Sequence, residues 1–290
     1  MNLWKEYSRA TSISEALKSL AAGGGRASLI AGGTDLILDL QQGRHLPIQT
    51  LVDISQIPEL NLIEIRGDEL FIGSCVVIGR IADSDLVIRN AQALAEACRL
   101  IGGPQVRNIA TLGGNIAHAL PAADGAIALM CLDTSVEVAD IDRFYRIPLE
   151  EMFISPGKTI LGDGRELISG FYVPIIKPGQ ASIFRRVMRM QGIALPILNL
   201  SINIQRESDR VKNIMISAGP SGGKPQRIKQ IEDNLRGEIW DERLIDFVKE
   251  NLFENVKFRS SPHRATSEYR HQVLQGLLEE ALRTVWERTT

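Results

Sequence analysis

Apolar positions recur along this chain with two periods, and the switches between them mark out its elements. Over residues 11–22, Ile13, Ala16, Leu17 and Leu20 fall at helical spacing; Ser12 or Ser14 can cap this helix and Gly23-Gly24-Gly25 stops it. Residues 27–31 form a short apolar run that reads as a buried strand, and residues 36–42 have helical character with Thr34 or Asp35 placed to cap them. Residues 50–54, 61–65 and 69–73 read as strands, the last two joined by a Gly67-Asp68 hairpin turn. A long helix is predicted over roughly 90–101, broken by Gly102-Gly103-Pro104. Residues 126–132 are apolar enough for a buried helical turn, 135–139 read as a strand, and 166–174 as a strand ended by Pro174. Residues 146–153 and 155–159 read as surface loops.

Residues 174–179, with Pro174, Pro178 and Gly179, read as a connector and place a domain boundary. Beyond it the texture changes. Residues 182–187, 197–204 and 211–218 are strand-like, with a hairpin turn at 207–210. A glycine- and proline-containing loop over 219–225 leads to helices predicted over 227–235, 240–251 and 267–288.

Two stretches fit no ordinary core pattern: residues 31–35 (Ala-Gly-Gly-Thr-Asp) and, about 80 residues later, 111–115 (Thr-Leu-Gly-Gly-Asn). Paired glycines allow positive φ and close approach of another group to the main chain. Successive N–H groups in such turns form a concave nest for anionic oxygens, phosphates above all. The first loop also sits between a strand and a helix start, the order that aims a helix N-terminus at a phosphate. Two such loops suggest a ligand with two phosphates, or one long ligand held at two points. Asp124 follows in a small, turn-prone segment, where it can cap a helix or accept hydrogen bonds from ligand hydroxyls.

Composition narrows the function classes. The 290 residues are 44% hydrophobic and 23% charged, as in a soluble globular protein. A formal charge of −2 gives no electrostatic footprint for nucleic acid or an anionic membrane surface. No apolar run approaches the ~20 residues of a membrane span. Glu6 stands where a secretory signal would need its apolar stretch, so a cytoplasmic protein is expected. Cys75, Cys98 and Cys131 have neither disulfide-framework nor metal-site spacing, and the four histidines form no HxxxH pair. No Ser/His/Asp or Cys/His arrangement, GxGxxG fingerprint or GxxxxGK[ST] loop is legible. Binding loops without a protein-borne catalyst fit a chain whose hard chemistry belongs to a cofactor.

The two loops carry a resemblance. Residues 28–35 (Ser28, Leu29, Ile30, Ala31, Gly32, Gly33, Thr34, Asp35) and 111–115 (Thr111, Leu112, Gly113, Gly114, Asn115) are similar to the two FAD-binding signatures of one family. That family is the flavoprotein (medium) subunit of the molybdenum hydroxylases, exemplified by xanthine dehydrogenase and carbon monoxide dehydrogenase. The resemblance continues through residues 101–108, 121–124, 166–168 and 173–174. Past the boundary it includes 184–187, Gly219-Pro220, 224–227 and 268–270.

It implies an α+β fold: a two-part PCMH-type FAD-binding domain over 1–176, with subdomains at roughly 1–55 and 56–176, then a smaller α/β C-terminal domain (sheet plus helices) over 177–290. It also implies that residues 31–35 and 111–115 cradle the FAD pyrophosphate, that Asp124 holds ribityl hydroxyls, and that Ile168 and Arg185 line the cofactor. No catalytic residue and no metal ligand is expected on this chain. Molybdopterin is expected on a large partner subunit and [2Fe–2S] clusters on a small one, with electrons leaving through FAD to NAD, a quinone or O2. The alternatives are a self-contained FAD-dependent oxidoreductase of the same fold and a non-catalytic flavin-binding assembly protein. Residues 189–199 depart from the family's Arg…Asp-Ile-Ala…Asn pattern: Pro196 is present and the Asp is missing.

Overall fold

The computed structural model describes residues 3–162, 164–188, 196–258, 260–261 and 265–290. Most of residues 189–199, the stretch that departs from the family pattern, therefore lies outside the described residues. The chain opens with β1 (Trp4–Arg9), α1 (Ile13–Ala22), β2 (Ala27–Ile30), α2 (Leu36–Gln41) and β3 (Ile48–Asp53). The three strands form a parallel sheet ordered β1-β3-β2. Ser12 caps α1 by accepting from the Glu15 N–H, and Ala16, Leu17 and Leu20 bury one face of the helix. Strand β1 has only partly covered alternating positions and went unread in the sequence.

The second unit is a five-stranded antiparallel sheet with helices on one face. Its strands are β4 (Ile63–Arg66), β5 (Glu69–Gly73), β6 (Ser135–Ala139), β7 (Phe144–Pro148) and, after a two-stranded hairpin of β8 (Phe153–Ser155) and β9 (Lys158–Thr159), β10 (Leu167–Pro174). Their order is β4-β5-β10-β6-β7. Helices α3 (Ile78–Ala82), α4 (Asp85–Asn90), α5 (Gln92–Leu100), α6 (Pro104–Arg107), α7 (Leu112–Ala117) and α8 (Asp124–Cys131) connect β5 to β6. The helix expected over 90–101 is α5, with the separate α4 before it, the two divided at Ala91, whose backbone leaves the helical region. Of the two stretches expected as surface loops, 146–153 is not one, whereas 155–159 is the largely exposed turn of the β8–β9 hairpin. Strand β7 pairs with β6 along its whole length, and a 3-10 turn at Leu149–Met152 buries Leu149 and Met152, with Phe153 beside them. Leu149, Met152 and Phe153 stand at helical spacing, but over a single turn, too short a run for the pattern to announce an element.

The C-terminal unit is an antiparallel sheet of β11 (Gln180–Met188), β12 (Pro196–Glu207) and β13 (Arg210–Gly219), followed by α9 (Lys229–Leu235), α10 (Glu242–Asn255) and α11 (Ser267–Glu287). One face packs on α11, where Leu198, Leu200, Ile202, Ile204, Ile214 and Ile216 join Leu274, Leu278 and Leu282 in a single core. The other face lies on α5 and α8 of the preceding unit. That face carries several buried polar groups, most of them hydrogen-bonded across the contact, although the Asn199 Oδ1 and the Arg186 Nε have no partner. Ser182 accepts from the Ala93 N–H at 3.0 Å, and Ser217 donates to the Ile127 carbonyl at 2.6 Å. Ser201 meets Cys131 at 2.8 Å, and Asn199 donates to Ala122 and Asp124 at 3.1 and 2.8 Å. Glu96 on α5 accepts from the Phe184 N–H and pairs with Arg288.

Candidate cofactor site

Strand β2 ends at the carboxyl edge of the parallel sheet, where ligand sites of such sheets form, and the chain turns there through residues 31–35. Gly33 takes φ of +67°, a conformation that favours glycine. Gly32 does something different. A Cβ on it would lie 2.1 Å from the Ile109 carbonyl oxygen, so the missing side chain lets the first loop touch the run-in to the second. The N–H groups of Gly32, Gly33, Thr34 and Asp35 have no acceptor among the described residues. Asp35 occupies the cap position of α2, but its side chain makes no capping bond; it accepts from the Thr34 hydroxyl instead.

The second loop is built on other lines than a glycine turn. Gly113 and Gly114 lie inside α7, without positive φ, and its amides are spent within the chain. Leu112 donates to Val76, Gly113 to Ser74, Gly114 to the Thr111 hydroxyl and Asn115 to the Thr111 carbonyl. Gly113 is needed for packing, since a Cβ would stand 2.7 Å from the Ser74 carbonyl oxygen. Gly114 is exposed and faces the first loop across a groove of about 330 Å³. Beside it the Asn115 Oδ1 is buried and has no partner.

The groove gathers residues 28–35 with Thr111, Gly114 and Asn115. Asp124, Ile168 and Arg185 lie outside it. Asp124 is the first residue of α8 rather than its cap, which is Ala123, and its carboxylate is paired with Arg186 and Asn199 across the domain boundary. Burial pushes the Asp124 carboxyl upward, while Arg186 and Asn199 pull the other way. Ile168 is buried in the core of the second unit, and Arg185 pairs with Glu96 and Glu280. Leu112 and Gly113 support the groove from beneath. The structure adds His45 and His118 to the lining, together with Ile78, Ile101 and Val106. Nothing in the spacing of the two histidines could have found them, because the loops that bring them together are distant in sequence.

This donor set fits an anionic dinucleotide: open amides on one wall, small residues on the other, and an apolar side at Ile101 and Val106. A larger cleft of about 890 Å³, near Gly24, Asp140 and Glu166, has none of these amides, and its Glu166 is already held by Tyr145 and the Gly162 N–H. The cysteine thiols are all buried; burial pushes Cys75 and Cys131 to about 12 and Cys98 higher still, so none is a nucleophile at neutral pH. Among the described residues no group of His, Cys, Asp and Glu could hold a metal, and no helix is long and apolar enough to cross a membrane.

Residues 3–176 match the family described as the FAD binding domain in molybdopterin dehydrogenase, and residues 182–285 match the CO dehydrogenase flavoprotein C-terminal domain. The chain belongs to this flavoprotein family. It is 28% identical to the glyceraldehyde dehydrogenase medium chain of Sulfolobus acidocaldarius over 96% of this chain and 97% of that one. It is 25% identical to the xanthine dehydrogenase FAD-binding subunit of Escherichia coli O157:H7, covering 95% and 94%. In structure it is similar to the carbon monoxide dehydrogenase of Hydrogenophaga pseudoflava, with a TM-score of 0.92, 25% identity and 98% of each chain covered. The flavoprotein is thus an FAD-binding subunit of the molybdenum hydroxylase family, and its fold is the two-part FAD-binding domain followed by the C-terminal domain.

Proposed function

We propose that this flavoprotein is the electron exit of a molybdenum-containing hydroxylase or dehydrogenase, taking electrons from [2Fe–2S] clusters on a small partner subunit and passing them through FAD to NAD, a quinone or O2. Substrate oxidation then belongs to a large, molybdopterin-binding partner, and the assembly is cytoplasmic. The observation that carries this reading is the set of unbonded amides at Gly32, Gly33, Thr34 and Asp35, facing Thr111, Gly114 and Asn115 across one groove. The relatives' names support it, since they describe a medium chain or FAD-binding subunit of a dehydrogenase and a medium subunit of a hydroxylase.

Bound FAD supplies the ability to take and give electrons singly or in pairs. This chain's residues bind and orient. The first-loop amides would donate to the pyrophosphate oxygens, with residues 28–31 and Asn115 flanking the groove and Ile101 and Val106 forming its apolar side. The titratable side chains that meet in the groove, His118 and Asp35 at 3.7 Å, would serve cofactor binding, and electron passage needs no general acid or base acting on an organic substrate.

The purified flavoprotein should be yellow and carry about one FAD per chain. Co-expressed with its genomic neighbours, it should copurify with a molybdopterin subunit and a [2Fe–2S] subunit, and its flavin should be reduced when substrate is given to that complex. A colourless chain that takes up no FAD on reconstitution, or a chain that alone oxidises an organic substrate, overturns the reading.

A further inference from the structure

Asp35 creates an electrostatic conflict in the groove. Its carboxylate follows directly on the open amides that receive an anionic pyrophosphate, and Asp39, one turn into α2, adds a second negative charge to the same wall. Asp39 is answered by Arg44, 3.5 Å away. Among the described residues Asp35 is answered only from across the groove: His118, which closes α7, brings its Nε2 to 3.7 Å from the Asp35 Oδ1. The imidazole and the carboxylate are 33% and 57% exposed, so both are open to a ligand as well as to each other.

We infer that His118 is a cofactor-binding residue whose proton sets the affinity of the flavoprotein for FAD. With the proton on, the imidazolium offsets Asp35 and leaves the first-loop amides free to attract the pyrophosphate. With it off, Asp35 stands uncompensated beside two phosphate charges. The pyrophosphate keeps both negative charges whether or not the imidazole holds its proton, so affinity falls when that proton is lost. The groups facing His118 are Asp35 on the first loop, Asp39 with its partner Arg44, and His45, which also lines the groove and whose Nδ1 is held by the Leu46 carbonyl at 3.0 Å. The effect is modest because the pair is wet; exposed charge pairs are worth up to about 1 kcal/mol, which is about fivefold in affinity.

The inference rests on FAD occupying this groove, and the test separates the two. FAD-free full-length protein is titrated with FAD, following quenching of flavin fluorescence, at pH 5.5, 7 and 8.5. The native chain should bind about three- to fivefold more weakly at the highest pH than at the lowest. His118→Gln, which keeps a polar side chain without the charge, should match the native chain at pH 8.5, lose the gain at pH 5.5 and so show a flat profile. Asp35→Asn should bind more tightly than the native chain at pH 8.5, a gain that a misfolded variant cannot produce. His45→Gln should keep the native slope. A His118→Gln profile as steep as the native one, a slope that disappears with His45→Gln instead, or no tightening in Asp35→Asn overturns the inference while leaving FAD in the groove. No FAD binding by the native chain overturns the functional reading itself.

Discussion

One methyl group at residue 32 would have to occupy the Ile109 carbonyl oxygen, whereas at residue 114 it would meet only the Thr111 hydroxyl, at 3.2 Å. The two glycines therefore do separate jobs that their shared Gly-Gly appearance conceals. Gly32→Val should cost at least about 1–3 kcal/mol from backbone overpacking and lose FAD as a consequence of misplacing both loops. Gly114→Val should leave the melting temperature near that of the native chain, because its side chain enters the open groove. It should nonetheless weaken FAD binding by about tenfold or more, the 1.4 kcal/mol that one lost close contact to the cofactor represents. Thermal melts set beside FAD titrations distinguish the two. Undiminished FAD affinity in Gly114→Val would show that the groove is not where the cofactor lies. The glycine doublets and Asn115 were legible in the sequence; Asp124, Ile168 and Arg185, expected at the cofactor, lie outside the groove lining, among packing and domain-boundary contacts that the sequence did not announce.

Strand β1 shows what holds an element that its own pattern barely announces. It pairs in parallel with β3, and the Tyr7 hydroxyl donates to Asp53 at the far end of that strand. Burial raises the Asp53 carboxyl, but hydrogen bonds from Tyr7 and the Ser55 N–H, with the charge of Arg9, outweigh it and hold the group below the usual carboxylate range. A depressed folded-state value stabilises the protein above the ordinary carboxylate range, near about pH 4, and that contribution is lost as the pH falls through the depressed value. Tyr7→Phe should cost about 1 kcal/mol at neutral pH, move acid unfolding to a higher pH, and differ from the native chain less and less below pH 3. Equal acid midpoints for the two would show that the hydroxyl does not hold this edge. The helices were easier to read than β1, because α1, α10 and α11 carry their apolar residues at one spacing over several turns. Their ends were less well placed: α10 runs from Glu242, capped by Asp241, to Asn255.

Across the whole molecule, the buried Arg186–Asp124 pair ties the C-terminal sheet to the cofactor-binding unit. Its side chains are 2% and 5% exposed, and Asn199 donates to the same carboxylate. Removing one partner of a buried pair strands the other charge, at a cost of about 3–5 kcal/mol. Arg186→Met should therefore lower the stability of the chain by that order in denaturant unfolding. Asp124→Asn in the same chain should restore much of the loss, because the stranded charge is gone. Equal stability for the single and the double variant would mean that the pair does not couple the two units.

What the sequence determined by itself is local: the periodic helices, most of the strands, the connector after Pro174, and two glycine loops too unusual for a core. These follow from spacing and backbone freedom, which act over a few residues. Only the tertiary structure decided what each surface meets. The alternation along β12 places Leu198, Leu200, Ile202 and Ile204 on one side and Asn199 and Ser201 on the other, and by itself reads as one dry face and one wet one. In the fold the polar face is buried against α5 and α8, because the Ala93 N–H, the Ile127 carbonyl and the Asp124 carboxylate take up most of its hydrogen bonds. In the same way, His118 and Asp35 meet only because Gly32 lets two loops about 80 residues apart close to contact, and no periodicity records an encounter at that distance.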